Sequence, residues 1–136
     1  MTNQITYTFR KAEKLCSQKL MGELFLTGSS FLSYPLRITW KIFANPPFES
    51  PAQVGFSVPK RIFKHAVDRN RLKRLMRESY RIQKSDLYEK LQSANMQMCL
   101  MLIYIGKEEL PFTKIDQAIS KSIVKINGQL TGVNCP

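Results

Sequence analysis

Wound at 100° per residue, Asn70, Lys73, Arg74, Arg77 and Arg81 share an arc of roughly 100° on one side of a helix. Arginine's planar fork suits bidentate contact with phosphate oxygens and stacking on bases. Asn70 adds a donor and an acceptor able to reach a backbone or a base edge. The span from Lys60 to Lys84 holds ten of the 21 basic residues and two acids, Asp68 and Glu78, so +8 of the +11 net charge is concentrated there. Like charges three and four residues apart weaken a helix by a few tenths of a kcal/mol each. A polyanion lying along the stripe would remove that cost.

The remaining chemistry-bearing residues give no catalytic set. A protein nuclease needs a general acid and base or carboxylates gathered around metal ions. His65 is the only histidine, which excludes a two-histidine mechanism and suits a backbone or phosphate contact in the turn. Glu108 and Glu109 are adjacent and point apart on most backbones, while Asp68 and Glu78 read as charge balance inside the basic segment. Cys16, Cys99 and Cys135 are odd in number, lack a CxxC spacing and fall largely in apolar segments. They are expected as reduced thiols with no disulfide partner, and no metal site follows from them.

Elements must position the stripe. A chain of 136 residues, 43% hydrophobic and 23% charged, fits one domain with a modest core. The opening MTNQITYTFRK has no apolar run for a signal peptide, and no stretch approaches the roughly 20 apolar residues of a membrane span, so a soluble intracellular protein is expected. Leu15, Cys16, Leu20, Met21, Leu24 and Phe25 predict a helix over 13–25 that leaves at Gly28. Leu36, Ile38, Trp40 and Ile42 alternate as a strand, and Val54, Phe56 and Val58 as a second one expected to form a hairpin with the first.

The basic helix is expected from about Ala66 to about Gln83, with Leu72, Leu75, Met76, Ser79, Ile82 and Gln83 turned inward. MCLMLIYI, 98–105, reads as a strand buried on both faces at the centre of the sheet. Pro111 opens a last amphipathic helix through Phe112, Ile115, Ala118, Ile119, Ser122, Ile123 and Ile126 that stops near Gly128. The tail 128–136 reads as loosely ordered, around a core of about 8–127. Helix, strands, helix, strand and helix give an α/β two-layer sandwich in a single domain, 1–136.

A pI near 9.8 favours a nucleic-acid partner. Seating the helix in a membrane interface would take from the core the leucines that the buried strand needs, and the helix carries no Trp or Phe anchor. A nuclear-localisation peptide would be unstructured, whereas this segment is threaded with core leucines. A DNA-binding regulator would need a preceding helix joined by a short turn. A non-catalytic, ribosome-type RNA-binding module shares the charge and the fold class and stays open.

KRIFKHAVDRNRLKRLMRESYR closely resembles the signature of the bacterial ribonuclease P protein subunit, with Val67, Arg69, Asn70, Arg71, Lys73, Arg74, Arg77 and Glu78 in the pattern's order. TFRKAEKL, Leu24–Phe25 and the strand from Leu36 are similar to the family's start, so the resemblance spans most of 8–126. It implies about four strands in the order α-β-β-(β)-α-β-α, with a left-handed βαβ crossover. It also implies a partner: a large catalytic RNA that removes the 5′ leader of precursor tRNA by Mg2+-dependent hydrolysis, with Mg2+ bound mainly through the RNA.

On that resemblance Arg69, Asn70, Arg71, Lys73, Arg74, Arg77 and Arg81 contact the catalytic RNA, and Lys60, Arg61 and Lys64 extend the surface. Arg69, Asn70 and Arg74 are expected to face away from the core. A cleft between the first helix and the sheet would receive the single-stranded leader, with Phe9, Phe25, Tyr34, Trp40, Phe56 and Ser57 as candidates because single strands stack on aromatics over a basic floor. For Trp40 and Phe56, strand alternation favours core packing instead. A cytoplasmic enzyme subunit without protein catalytic residues is the resulting expectation.

Overall fold

The computed structural model describes residues 13–15, 18–43, 51–94 and 96–133. Three helices, α1 (Gln18–Thr27), α2 (Ala66–Ser93) and α3 (Phe112–Val133), accompany four strands, β1 (Ser29–Ser33), β2 (Leu36–Phe43), β3 (Ala52–Ser57) and β4 (Gln97–Tyr104), in the chain order α1-β1-β2-β3-α2-β4-α3. Among the described residues no helix is long and apolar enough to cross a membrane.

The strands lie in the order β1-β2-β4-β3. β2 is antiparallel to β1 and to β4, whereas β3 runs parallel to β4 with Val54 opposite Leu100 and Ser57 opposite Ile103. The expected hairpin between residues 36–42 and 54–58 therefore does not form. The most apolar strand, buried on both faces, takes the inner position between them, and a parallel partner can be reached only through a long crossover, which α2 supplies.

Because side chains alternate across a strand, residue parity divides the sheet. Even-numbered residues of β2, β3 and β4, such as Ile38, Trp40, Val54, Leu100 and Leu102, pack against Leu72, Met76 and Tyr80 of α2 and Ile119 and Ile123 of α3. Cys99 and Met101, of odd number, lie under Leu15 and Leu24 on the α1 side. Each fully buried Leu or Ile in these layers contributes about 1.5–3 kcal/mol.

Three boundaries differ from the sequence expectation, and the exit of the first helix at Gly28 agrees with it. Glu13–Leu15 is not α-helical: Lys14 bridges Val54 and the Leu15 amide donates to the Val54 carbonyl at 3.0 Å, so Lys14 and Leu15 lie along β3 and α1 starts at Gln18. α1 ends where the Gly28 amide donates to the Leu24 carbonyl at 2.9 Å, and a Cβ on Gly28 would sit 2.9 Å from the Trp40 carbonyl oxygen. α2 runs ten residues past Gln83 to Ser93, because its buried seam continues through Tyr80, Lys84, Leu87 and Leu91. Ile82 falls off that seam and is 45% exposed. α3 passes through Gly128, where no neighbour lies within 4 Å of the missing Cβ, and continues to Val133.

Lys84 is buried because an acid meets it. Its ammonium is paired with the Glu13 carboxylate, the two side chains being 3% and 7% exposed. The Tyr88 hydroxyl also donates to Glu13, at 2.7 Å, and Tyr80 donates to Tyr88 at 3.2 Å. Between α2 and α3, the Ser79 hydroxyl and the Gln83 amide both donate to the Asp116 carboxylate at 2.7 Å. The polar side of α2 is thereby fixed in azimuth by both a packed seam and directional bonds.

Candidate nucleic-acid interface

Residues 59–65 fold into a turn in which the Phe63 amide donates to the Pro59 carbonyl at 3.1 Å. Phe63 is buried and meets the Tyr104 ring edge-on, with centroids 5.6 Å apart. Arg69 reaches back from the first turns of α2 and donates from Nη1 to the carbonyls of Phe63 at 2.8 Å and Lys64 at 2.9 Å. Its guanidinium is thus committed to the turn, contrary to the expectation that Arg69 faces away from the core as freely as Asn70 and Arg74. Two charge-assisted bonds hold Lys60, Arg61, Lys64 and His65 exposed on the outer side of the turn. Asp68 stands in the first turn of α2, where the helix dipole favours an acid.

Along α2, Asn70, Arg74 and Arg77 are exposed and Lys73 is half-buried. Among the described residues none of these three cations makes an ion pair. Arg77 lies over the Phe56 ring, 5.9 Å from its centroid, and Phe56 meets Tyr80 edge-on at 6.1 Å. Arg81 pairs with Glu78; that hydrogen bond holds the Glu78 carboxyl below its usual range and raises Arg81. Arg71 differs again, pairing with Asp68 at 3.2 Å and with Glu109 from the β4–α3 connection. The nine basic candidates and Asn70 therefore form one surface, but Arg69, Arg71 and Arg81 enter it already bonded.

The expected cleft residues do not converge. Trp40 and Phe56 have even parity and point to the α2 and α3 side, Trp40 being buried and Phe56 packed half-buried against the same core. Ser57, opposite Ile103, belongs to the α1 side. Phe25 on α1 is 54% exposed and Tyr34, between β1 and β2, is 68% exposed. Phe9 lies outside the described residues, as do Cys16 and Cys135.

What sequence reasoning missed is the floor of the α1-side face. Arg37 is exposed and its Nε donates to the Ser30 hydroxyl at 3.1 Å; Ser30 stands 3.4 Å from the Thr39 hydroxyl. Lys41 donates to the Thr27 hydroxyl at 2.6 Å, tying the end of α1 to β2. With half-buried Gln53, Ser57 and Ile103 beside them, these side chains make a polar, cationic sheet face next to α1. The signal was the polar half of the period-two alternation, Arg37, Thr39 and Lys41, which is as regular as the apolar half.

Acids of the basic surface are bonded to arginines: Asp68 and Glu109 to Arg71, Glu78 to Arg81. Among the described residues no three His, Cys, Asp or Glu side chains come together as a metal cluster.

Comparison with known proteins gives a consistent result. The family model described as Ribonuclease P matches residues 9–127. The ribonuclease P protein component of Porphyromonas gingivalis is 31% identical over 130 residues, covering 96% of this chain and 94% of its own. That of Chlorobium phaeobacteroides is 37% identical over 123 residues, 84% of each chain. The structure of the Staphylococcus aureus RNase P protein shares the fold with a TM-score of 0.63 at 20% identity, covering 85% of this chain and 95% of that one.

Proposed function

Since the chain belongs to the ribonuclease P protein family, and is thus the protein subunit of a tRNA 5′-maturation endoribonuclease, we propose how its surfaces divide that work. The turn at 60–65 and the outer side of α2 bind the catalytic RNA, through Lys60, Arg61, Lys64, Asn70, Lys73, Arg74 and Arg77. The α1-side face, with Arg37, Lys41, Ser57 and the exposed Phe25, receives the single-stranded 5′ leader of precursor tRNA. Both partners are polyanions, so a cationic body between them lowers their repulsion and raises the local concentration of substrate.

The observation that carries this reading is the pairing of exposure with fixation. Asn70, Arg74 and Arg77 stand in solvent while Leu72, Met76 and Tyr80 on the same helix are at most 1% exposed. A helix so anchored cannot roll this face away when phosphates approach, which favours a defined RNA geometry over diffuse attraction.

Mg2+ is assigned to the RNA. Asp68, Glu78 and Glu109 of the basic surface are bonded to arginines, which supports a reading in which the chain binds and orients RNA while hydrolysis belongs to the RNA's metal site. This activity fits the cytoplasm, where tRNA precursors of a bacterial cell are made.

Cleavage of a 5′-extended precursor tRNA by a bacterial ribonuclease P RNA at low Mg2+ tests the reading. The protein is expected to stimulate cleavage strongly and to cleave nothing alone. The triple change N70A/R74A/R77A is expected to remove the stimulation without lowering the melting temperature. Tight RNA binding without stimulation would reduce the stripe to a general RNA clamp and overturn the proposal.

A further inference from the structure

One arginine of the basic surface is already bonded to carboxylate oxygens through one nitrogen of its fork. Arg71 is 50% exposed and pairs through Nη2 with two carboxylates. Asp68, one turn earlier on α2, lies 3.2 Å from Nη2. Glu109 reaches the same nitrogen from a connection distant in sequence.

Glu109 is brought there by Tyr104. The Tyr104 hydroxyl donates to the Glu108 carbonyl at 2.6 Å and accepts from the Leu110 amide at 3.0 Å, so both neighbours of Glu109 are pinned by a single side chain. Tyr104 itself is buried against Phe63 of the basic turn. The acid is therefore positioned by the same packing that shapes the turn.

We propose that Glu109 occupies, in the RNA-free protein, the place of an RNA phosphate on Arg71, so that RNA binding at this arginine is an exchange of carboxylate for phosphate. The proposal rests on the reading of α2 as the RNA-binding surface and adds a selection step to it. Arg74 and Arg77 meet RNA by releasing mobile counterions. Arg71 must first give up a fixed partner, so it adds little toward a diffuse polyanion. A phosphate seated to accept two parallel N–H bonds from the fork regains what the carboxylate provided. Glu109 thereby lowers affinity for anions in general and favours RNA that presents a phosphate at this point.

The test is equilibrium binding of the full chain to a bacterial ribonuclease P RNA over a series of salt concentrations, with unstructured poly(U) as the diffuse polyanion. Glu109→Gln is expected to tighten binding to both, by roughly 3- to 10-fold for poly(U) and less for the structured RNA, with a salt dependence steeper by about one unit of log–log slope. The gain is expected to vanish in an Arg71→Ala background, as the double-mutant cycle requires of an effect acting through Arg71. Glu108→Gln removes a neighbouring charge that makes no ion pair among the described residues and is expected to give well under half the gain.

An unchanged or weakened affinity in Glu109→Gln would overturn the proposal, as would a full gain in Glu108→Gln or one that persists without Arg71. Should the Gln variant melt early, Glu109→Asp keeps the charge, withdraws it by one methylene and is expected to retain part of the gain. Failure of the unaltered protein to bind the ribonuclease P RNA would instead count against the reading of α2 itself.

Discussion

The guanidinium of Arg69 donates to the carbonyl oxygen of Phe63 at 2.8 Å, bonding a helix residue to the turn that precedes it. A second bond from the same nitrogen reaches Lys64, so this arginine of the basic motif supports structure as well as charge. Arg69→Ala is expected to lower stability by roughly 1.5–3 kcal/mol, the range for hydrogen bonds to a charged group. Arg74→Ala, exposed and without an ion pair among the described residues, should stay within about 0.5 kcal/mol of the unaltered protein. Denaturant unfolding of the two variants separates the roles; equal stability would show that the turn does not depend on Arg69.

The Glu13–Lys84 pair makes a stronger demand. Removing one member leaves the other charged and buried, at a cost of about 3–5 kcal/mol. Lys84→Met and Glu13→Gln should each destabilise by that order, while the combination Glu13→Leu with Lys84→Met recovers much of the loss. Urea midpoints would decide, and two mild single variants would mean that the pair is hydrated in solution.

Parity predicts a division of labour across the sheet. Phe56→Leu removes the ring from under Arg77 and from Tyr80, so it should cost about 1–2 kcal/mol of stability and leave leader affinity unchanged. Arg37→Ala should do the reverse, weakening binding of precursor tRNA with a leader while leaving binding of mature tRNA and the melting temperature unaffected. A leader-specific loss in Phe56→Leu would return that ring to the leader site.

Stability should fall on the alkaline side. Burial pushes the Cys99 thiol from 9.0 up to about 11 and raises the Tyr80, Tyr88 and Tyr104 hydroxyls. A group whose folded pKa is raised supports folding fully below its unfolded pKa and loses that support as pH climbs toward the folded value. The loss therefore begins near pH 9 and grows through pH 11. Melting temperatures between pH 8 and 11 test this, and alkylation of Cys99 in the folded chain at pH 8 should be slower than in urea.

Much of this was legible because period and burial coincide. The run 98–105 announced an inner strand, the three-and-four spacing from Ile115 to Ile126 announced the buried face of α3, and the RNR signature carried both family and fold class. The failures have a shared cause: they depend on partners remote in sequence. Lys84 counts only as the last charge of the basic segment, one residue past the expected helix end, until Glu13 is seen beside it. Glu13–Leu15 reads as helix until Val54 offers it a backbone edge. Arg69 reads as a free cation until the turn's carbonyls come within reach. Strand parity could have placed Trp40 and Phe56 away from α1, but only once β4 was known to lie between β2 and β3.

The parallel pairing of β3 with β4 has a kinetic consequence. Ser57 and Gln97 are separated by the whole of α2, so their strands register only after the helix has been laid across the sheet. Closing so long a connection is slow and entropically unfavourable, and its reward arrives late in folding. The reverse also holds: α2 cannot fully unwind without uncovering the sheet face it packs on. Its amide protons from Leu72 to Leu87 should then exchange with solvent only through global opening, which makes the helix offered to RNA one of the last parts of the molecule to let go.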